Sequence, residues 1–234
     1  MFAIKRKENV AEAVRRIARE RVDRALLALE PGEDGHVQAD RVVREMRRGL
    51  SLLSVIGPAM DVEALRRERT ALRRVLRGCG SGSLSTKRID TFCGVLRDVR
   101  MRAGYWHLGG EEFAVLRPGL MRVVGTARRR IRAAAEIPGD TTLVPGVRET
   151  LRTYGHALRL VERSWPAVLS AERARVSALV EALDTDATED VDSLLTEALC
   201  WMSETPGRWC DRVGGYWSAW RPPEGSAGPQ DGPP

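Results

Sequence analysis

RVVREMRRGLSLLSVIGPA, residues Arg41–Ala59, is the stretch whose reading decides the fold. Val42, Val43, Met46, Leu50 and Leu53 recur at the spacing that gathers side chains on one side of an α-helix. Gly57-Pro58 ends the pattern, because proline has no N–H to give and its ring clashes with the turn before it. A helix from about Val37 to Val55 is therefore expected. The pattern returns later in the chain: Arg44, Leu50, Leu52, Pro58 and Ala59 align with Arg152, Leu158, Leu160, Pro166 and Ala167 at one constant offset. Two related helical halves account for that repeat.

The rest of the chain has the same character. Helical spacing runs from about Glu8 to Leu29, closed by Pro31-Gly32, then from Val62 to Leu76 and from Lys87 to Ala103. Gly109-Gly110 is the expected boundary between a first half, 1–108, and a second, 109–221. Further helices are expected at Glu112 to Ala135, Pro145 to Val161, Pro166 to Leu183, Val191 to Met202 and Pro206 to Trp220. The Pro/Gly/Ser-rich tail, 222–234, is expected to be disordered. No alternating apolar run is long enough for a sheet, so the fold class is all-α.

The 234 residues suffice for one large domain or two small ones. With 43% hydrophobic and 30% charged residues and no apolar run near 20 residues, the chain reads as a cytoplasmic protein without a membrane span. The net charge of +6 comes from Arg, since Lys occurs only at Lys5, Lys7 and Lys87. A GC-rich genome explains Arg replacing Lys but not the positive sign. A guanidinium stays charged and grips two oxygens of a phosphate at once, so the bias points to phosphate-bearing partners.

Catalytic and metal motifs are not found. Cys79, Cys93, Cys200 and Cys210 form no CxxC pair and read as reduced, small apolar residues. His36, His107 and His156 share no metal-ligand spacing. Gly80–Lys87, GSGSLSTK, looks like a phosphate loop but lacks the spacing of one, and reads as a linker. The six Trp read as core and inter-helix packing rather than base-stacking platforms. No enzymatic activity and no cofactor are expected.

Three stretches resemble one known family. VAEAVRRIARERVDRALLALEPGED followed by VQADRVVREMRRGLSLL is similar to the opening helices of CHAD proteins, the conserved histidine α-helical domain family. GVLRDVRM, with Arg97-Asp98, resembles a motif of its fourth helix. RLVERSWPAVL and the late ETPGRWCDRVGGYWSAWR resemble its second-half and terminal segments. The resemblance covers roughly residues 8 to 221. It implies two four-helix bundles about a pseudo-twofold axis, and binding of inorganic polyphosphate in a basic central groove. This chain departs from the pattern at the name-giving positions: Val37, beside His36, and Pro145 stand where histidines are expected. Asp40 and Glu149 replace basic residues.

The candidate polyanion-binding residues are Arg41, Arg44, Arg47 and Arg48 in the first half and Arg148 and Arg152 in the second, with Arg128 and Arg129 on the fifth helix. Arg130 stands beside them as a further wall residue, and the resemblance adds Arg97. Arg44 and Arg47 are three apart and share a helix face, as do Arg148 and Arg152, four apart. Many acidic residues at i,i+3 and i,i+4 give the competing reading of solvated helix faces. The expected ligand is polyphosphate or a similar polyanion, in the cytoplasm or on polyphosphate granules. The alternative is a degenerate scaffold that binds a protein partner and no anion. Non-specific nucleic-acid binding ranks last, and no helix-turn-helix spacing suggests sequence-specific reading.

Overall fold

The structure is a computed structural model that describes residues 3–5, 8–32, 36–80, 84–110, 112–137, 140–162, 166–184 and 191–204. These residues hold eight α-helices: α1 Val10–Leu29, α2 Ala39–Ile56, α3 Val62–Cys79, α4 Thr86–Ala103, α5 Arg117–Ala135, α6 Val144–Val161, α7 Pro166–Asp184 and α8 Val191–Glu204. The class is all-α, as the sequence implies. Among the described residues the strand-like pairing is a single bridge, Met60 with Leu108. The expected helix from Pro206, the tail, Cys210, Trp165, Trp209, Trp217 and Trp220 lie outside the described residues.

Local chemistry sets the helix ends. Asn9 accepts from the N–H groups of Ala11 (2.9 Å) and Glu12 (3.2 Å), which α1 cannot satisfy internally. Asp61 caps α3 in the same way, accepting from Ala64 N at 2.8 Å. Pro145 stands in the first turn of α6, where a missing N–H costs nothing. The fifth helix is shorter than its apolar spacing suggests. It starts at Arg117, and Glu112–Val115 forms a separate 3-10 turn. Pro118 is the reason: it fits the first turn of α5 but would break a helix already running from Glu112. Gly110, at φ 101°, turns the chain ahead of that break, in the region glycine adopts freely.

α2 is the structural centre. It packs against α1 and α3, and also carries the principal contacts to α5 and α6. The first four helices meet as α1–α2, α2–α3, α3–α4 and α1–α4, and the last four as α5–α6, α6–α7, α7–α8 and α5–α8. Met46, Leu53, Val55 and Ile56 of α2 are almost wholly buried, with Ile17 and Leu29 of α1, Leu120 and Ile131 of α5, and Leu151 and Leu158 of α6. Burying each such side chain contributes about 1.5–3 kcal/mol. The chain start also joins this core: Ile4 is fully buried and its N–H donates to Leu160 O, near the end of α6, at 3.0 Å.

One buried acid gives the second set of helices a pH dependence. Glu172 of α7 is 4% exposed, and the hydroxyl of fully buried Tyr154 donates to it at 2.5 Å. Burial raises its pKa above the ordinary 4.5, against the hydrogen bonding and Arg175, which lower it. The fold therefore favours the protonated acid. That contribution is full below the unfolded pKa and is lost as pH rises through the folded one. Glu172→Gln stays neutral throughout. Thermal melts are expected to show it more stable than the parent protein near pH 7, with the difference gone near pH 4. An unchanged or reversed gap would contradict the burial argument.

Candidate functional site

The residues facing the angle between α2 and its neighbours form an open groove of about 480 Å³. α2 gives Arg47, Leu50, Ser51 and Ser54; α3 gives Arg69, Arg73 and Leu76. α5 contributes Arg122, Val123, Thr126 and Arg130, and α6 contributes Glu149, Thr150 and Thr153. Five guanidiniums thus face one carboxylate. Among the described residues none of the five is ion-paired.

Arg69 shows how crowded the positive charge is. Its pKa is pushed below the usual arginine value by burial first, then by the neighbouring guanidiniums of Arg73 and Arg122. Arg122 comes from α5, so two walls of the groove bring like charges within electrostatic reach. Arg69 Nη2 donates to Leu53 O at 3.4 Å. Arg130 is anchored more firmly, donating from Nη1 to Gly146 O and Thr150 Oγ1, both at 2.8 Å. The hydroxyls between the arginines donate to their own helices: Ser51 to Arg47 O, Ser54 to Leu50 O, Thr126 to Arg122 O and Thr153 to Glu149 O. Their protons are used within the helices, which leaves the guanidiniums as the groove's side-chain donors to an anion.

The candidate residues divide around this groove. Arg47 lines it, and Arg44 is exposed one turn earlier on the same side of α2. Arg129 stands at its edge and donates to Thr126 Oγ1 at 3.2 Å. Arg128 is exposed on α5 and does not line the groove. Arg41 donates to Gln38 at 3.2 Å. Arg48 bonds Glu45 at 2.6 Å, and Glu45, 3% exposed, also binds Arg21 at 3.0 Å. Arg97 is exposed on α4, which packs on α1 and α3. Arg148 and Arg152 of α6 reach across to Asp184 at the end of α7 instead of into the groove.

Arg69, Arg73 and Arg122 were not among the candidates, and Arg130 was only a wall residue. The sequence does carry a signal for them. α5 contains six Arg and no Asp or Glu, so its arginines cannot be satisfied along their own helix. Arg69 and Arg73 are four apart and so share a face of α3.

The histidines sit elsewhere. His36 and His107 are exposed. His156 Nδ1 meets Ser51 Oγ at 3.2 Å where α6 packs on α2. Burial, then Arg48, Arg159, Arg21 and Arg152, push its pKa down to about 3, so it is neutral at pH 7. Ser51 Oγ also lies 2.9 Å from Arg47 O, so its single proton serves one of these two acceptors. Cys79, Cys93 and Cys200 carry free thiols, and Trp106 is buried at 6% exposure. Among the described residues no group of three or more His, Cys, Asp or Glu is placed to hold a metal ion, and no helix is long and apolar enough to cross a membrane.

Fold and site together define an all-helical protein with an arginine-lined groove at the junction of its central helices. No protein-family model matches the chain, nor does any curated protein or solved structure.

Proposed function

We propose that the protein binds a linear polyanion, inorganic polyphosphate above all, in the groove lined by α2, α3, α5 and α6. One observation carries this: Arg47, Arg69, Arg73, Arg122 and Arg130 converge on a shared space, with Glu149 the one carboxylate opposing them among the described residues. Holding cations together without counter-charges raises the energy of the empty groove, and an entering anion relieves it. Each bound phosphate also releases counterions. Among the described residues the lining contains no aromatic side chain, which favours a polyanion without bases over single-stranded nucleic acid. The role is binding, not catalysis: the groove presents donors and no paired acid and base. The reading of two halves joined near Gly109-Gly110 is supported by the two sets of four helices, each packed in a closed circuit. The CHAD resemblance is compatible with this reading, but its ligand-binding positions shift from Arg148 and Arg152 to α3 and α5.

The test is a titration with long-chain polyphosphate in about 150 mM salt. Saturable binding is expected. Arg73→Ala combined with Arg122→Ala is expected to weaken it about tenfold or more, since charge-assisted contacts each contribute about 1.5–3 kcal/mol. Absence of saturable binding, or a double variant that binds as well as the parent, defeats the proposal. Duplex DNA competing on equal terms would favour a non-specific basic surface instead.

A second reading rests on a different place. Among the described residues, Leu179, Ala182, Leu194, Ala198 and Trp201 line a largely apolar cleft of about 610 Å³ between α7 and α8. A protein-interaction scaffold would use such a surface. That reading requires one stoichiometric protein partner and no polyphosphate binding.

A further inference from the structure

Asp184, the last described residue of α7, faces two arginines of α6. Its Oδ1 accepts from Arg148 Nη1 at 2.9 Å and from Arg152 Nη2 at 2.7 Å, and its Oδ2 lies 2.7 Å from the same Arg152 nitrogen. These contacts hold the Asp184 carboxyl below the usual carboxylate range, the Arg148 hydrogen bond being the largest cause.

The positions of the two arginines give the contact a second meaning. Arg148 is next to Glu149, and Arg152 next to Thr153; both neighbours line the groove. Adjacent helix residues point about 100° apart. Arg148 and Arg152 therefore stand beside the groove's α6 wall, on the side turned to α7. Their side chains are 27% and 32% exposed, so the ion pairs are open to water and salt.

We propose that Asp184 sets the affinity of the groove by acting as an internal competitor: it occupies two guanidiniums that a bound polyanion would otherwise use. The inference rests on the polyanion reading of the groove. Asp184 lowers the number of phosphates engaged and so reduces the salt sensitivity of binding. It gives an advantage to ligands with enough charge to displace it.

The experiment is a titration of long-chain polyphosphate at several salt concentrations between about 50 and 200 mM, for the parent protein and Asp184→Ala. Each added phosphate contact steepens the log-affinity against log-salt slope by about 0.7–0.9. Asp184→Ala is expected to bind about three- to tenfold more tightly at the lowest salt, with a slope steeper by about one to two contacts. Adding Arg148→Ala and Arg152→Ala is expected to return the slope to the parent value. Should Asp184→Ala fold poorly in thermal melts, Asp184→Asn removes the charge while keeping the shape, and the same gain and slope change are required of it. Unchanged or weaker binding overturns the inference, as does a gain that survives loss of both arginines. If Arg73→Ala with Arg122→Ala still weakens binding in that event, the groove reading stands and only the role of Asp184 falls. If no form of the protein binds, both fall.

Discussion

Gly119→Ala is expected to cost about 4 kcal/mol or more, or to prevent folding altogether, a size of effect reserved for a few kinds of lesion. Gly119 is buried near the start of α5, where that helix crosses α2. A Cβ there would lie 1.5 Å from Val55 O, 2.3 Å from Val55 C and 2.7 Å from Val55 Cα. The obstacle is backbone in the last turn of α2, so no side-chain rotation can relieve it, and the helices must separate. Chemical denaturation followed by helical circular dichroism measures the loss. Gly94→Ala is the matched control: Gly94 lies inside α4 with nothing within 4 Å of an added Cβ. It is expected to gain about 0.5–1 kcal/mol from the better helix propensity of alanine. A loss below about 1 kcal/mol for Gly119→Ala would mean that the two helices do not approach this closely. The site shares this dependence. Arg122 follows Gly119 by one turn, so parting α2 from α5 also moves Arg122 away from Arg69 and opens the groove.

The second large effect is expected at Glu68, which is fully buried in α3. Arg102 of α4 donates to both of its oxygens, at 2.7 and 3.1 Å, and Arg67 Nε lies 3.5 Å away. Breaking such a buried pair leaves a charge without compensation, at about 3–5 kcal/mol. Arg102 keeps 24% of its side chain exposed and can recover some hydration, so Glu68→Ala is placed near the low end, about 3 kcal/mol. The check is a two-variant comparison by denaturation. Glu68→Leu with Arg102→Met removes both charges and is expected to regain most of the stability lost in Glu68→Ala. A double variant as unstable as the single one would show that lost packing, rather than an orphaned charge, is the cause. Polyphosphate binding should be little affected in the double variant, because Glu68 and Arg102 do not line the groove.

Both sites were only partly visible in the primary structure. Glu68 stands among Arg66, Arg67 and Arg69, so it reads as one member of a solvated charge pattern. Its burial follows from α4 packing over that face. The arginine groove shows the same limit. Arg44 and Arg47 share a face by spacing alone, and Arg47 of that face lines the groove. Arg148 and Arg152 share a face just as clearly, yet it turns to Asp184. Helix periodicity groups residues but does not say which neighbour a group will meet.

What the sequence determined by itself is the eight described helices, their punctuation and the repeat around Arg44 and Arg152. These depend on local rules: apolar spacing, proline and glycine breaks, and capping by Asn9 and Asp61. One proline moved the start of α5 from Glu112 to Arg117, and that too is a local effect. Tertiary structure decided which charges are spent and which are left. It joined Arg21 to Glu45, Arg102 to Glu68, and Arg148 and Arg152 to Asp184, each between two different helices. Among the described residues it left Arg47, Arg69, Arg73, Arg122 and Arg130 around one space without ion-pair partners. The physical reason is that an ion pair depends on distances of a few ångströms between side chains on different helices, and those distances exist only once α2 has seated against α3, α5 and α6.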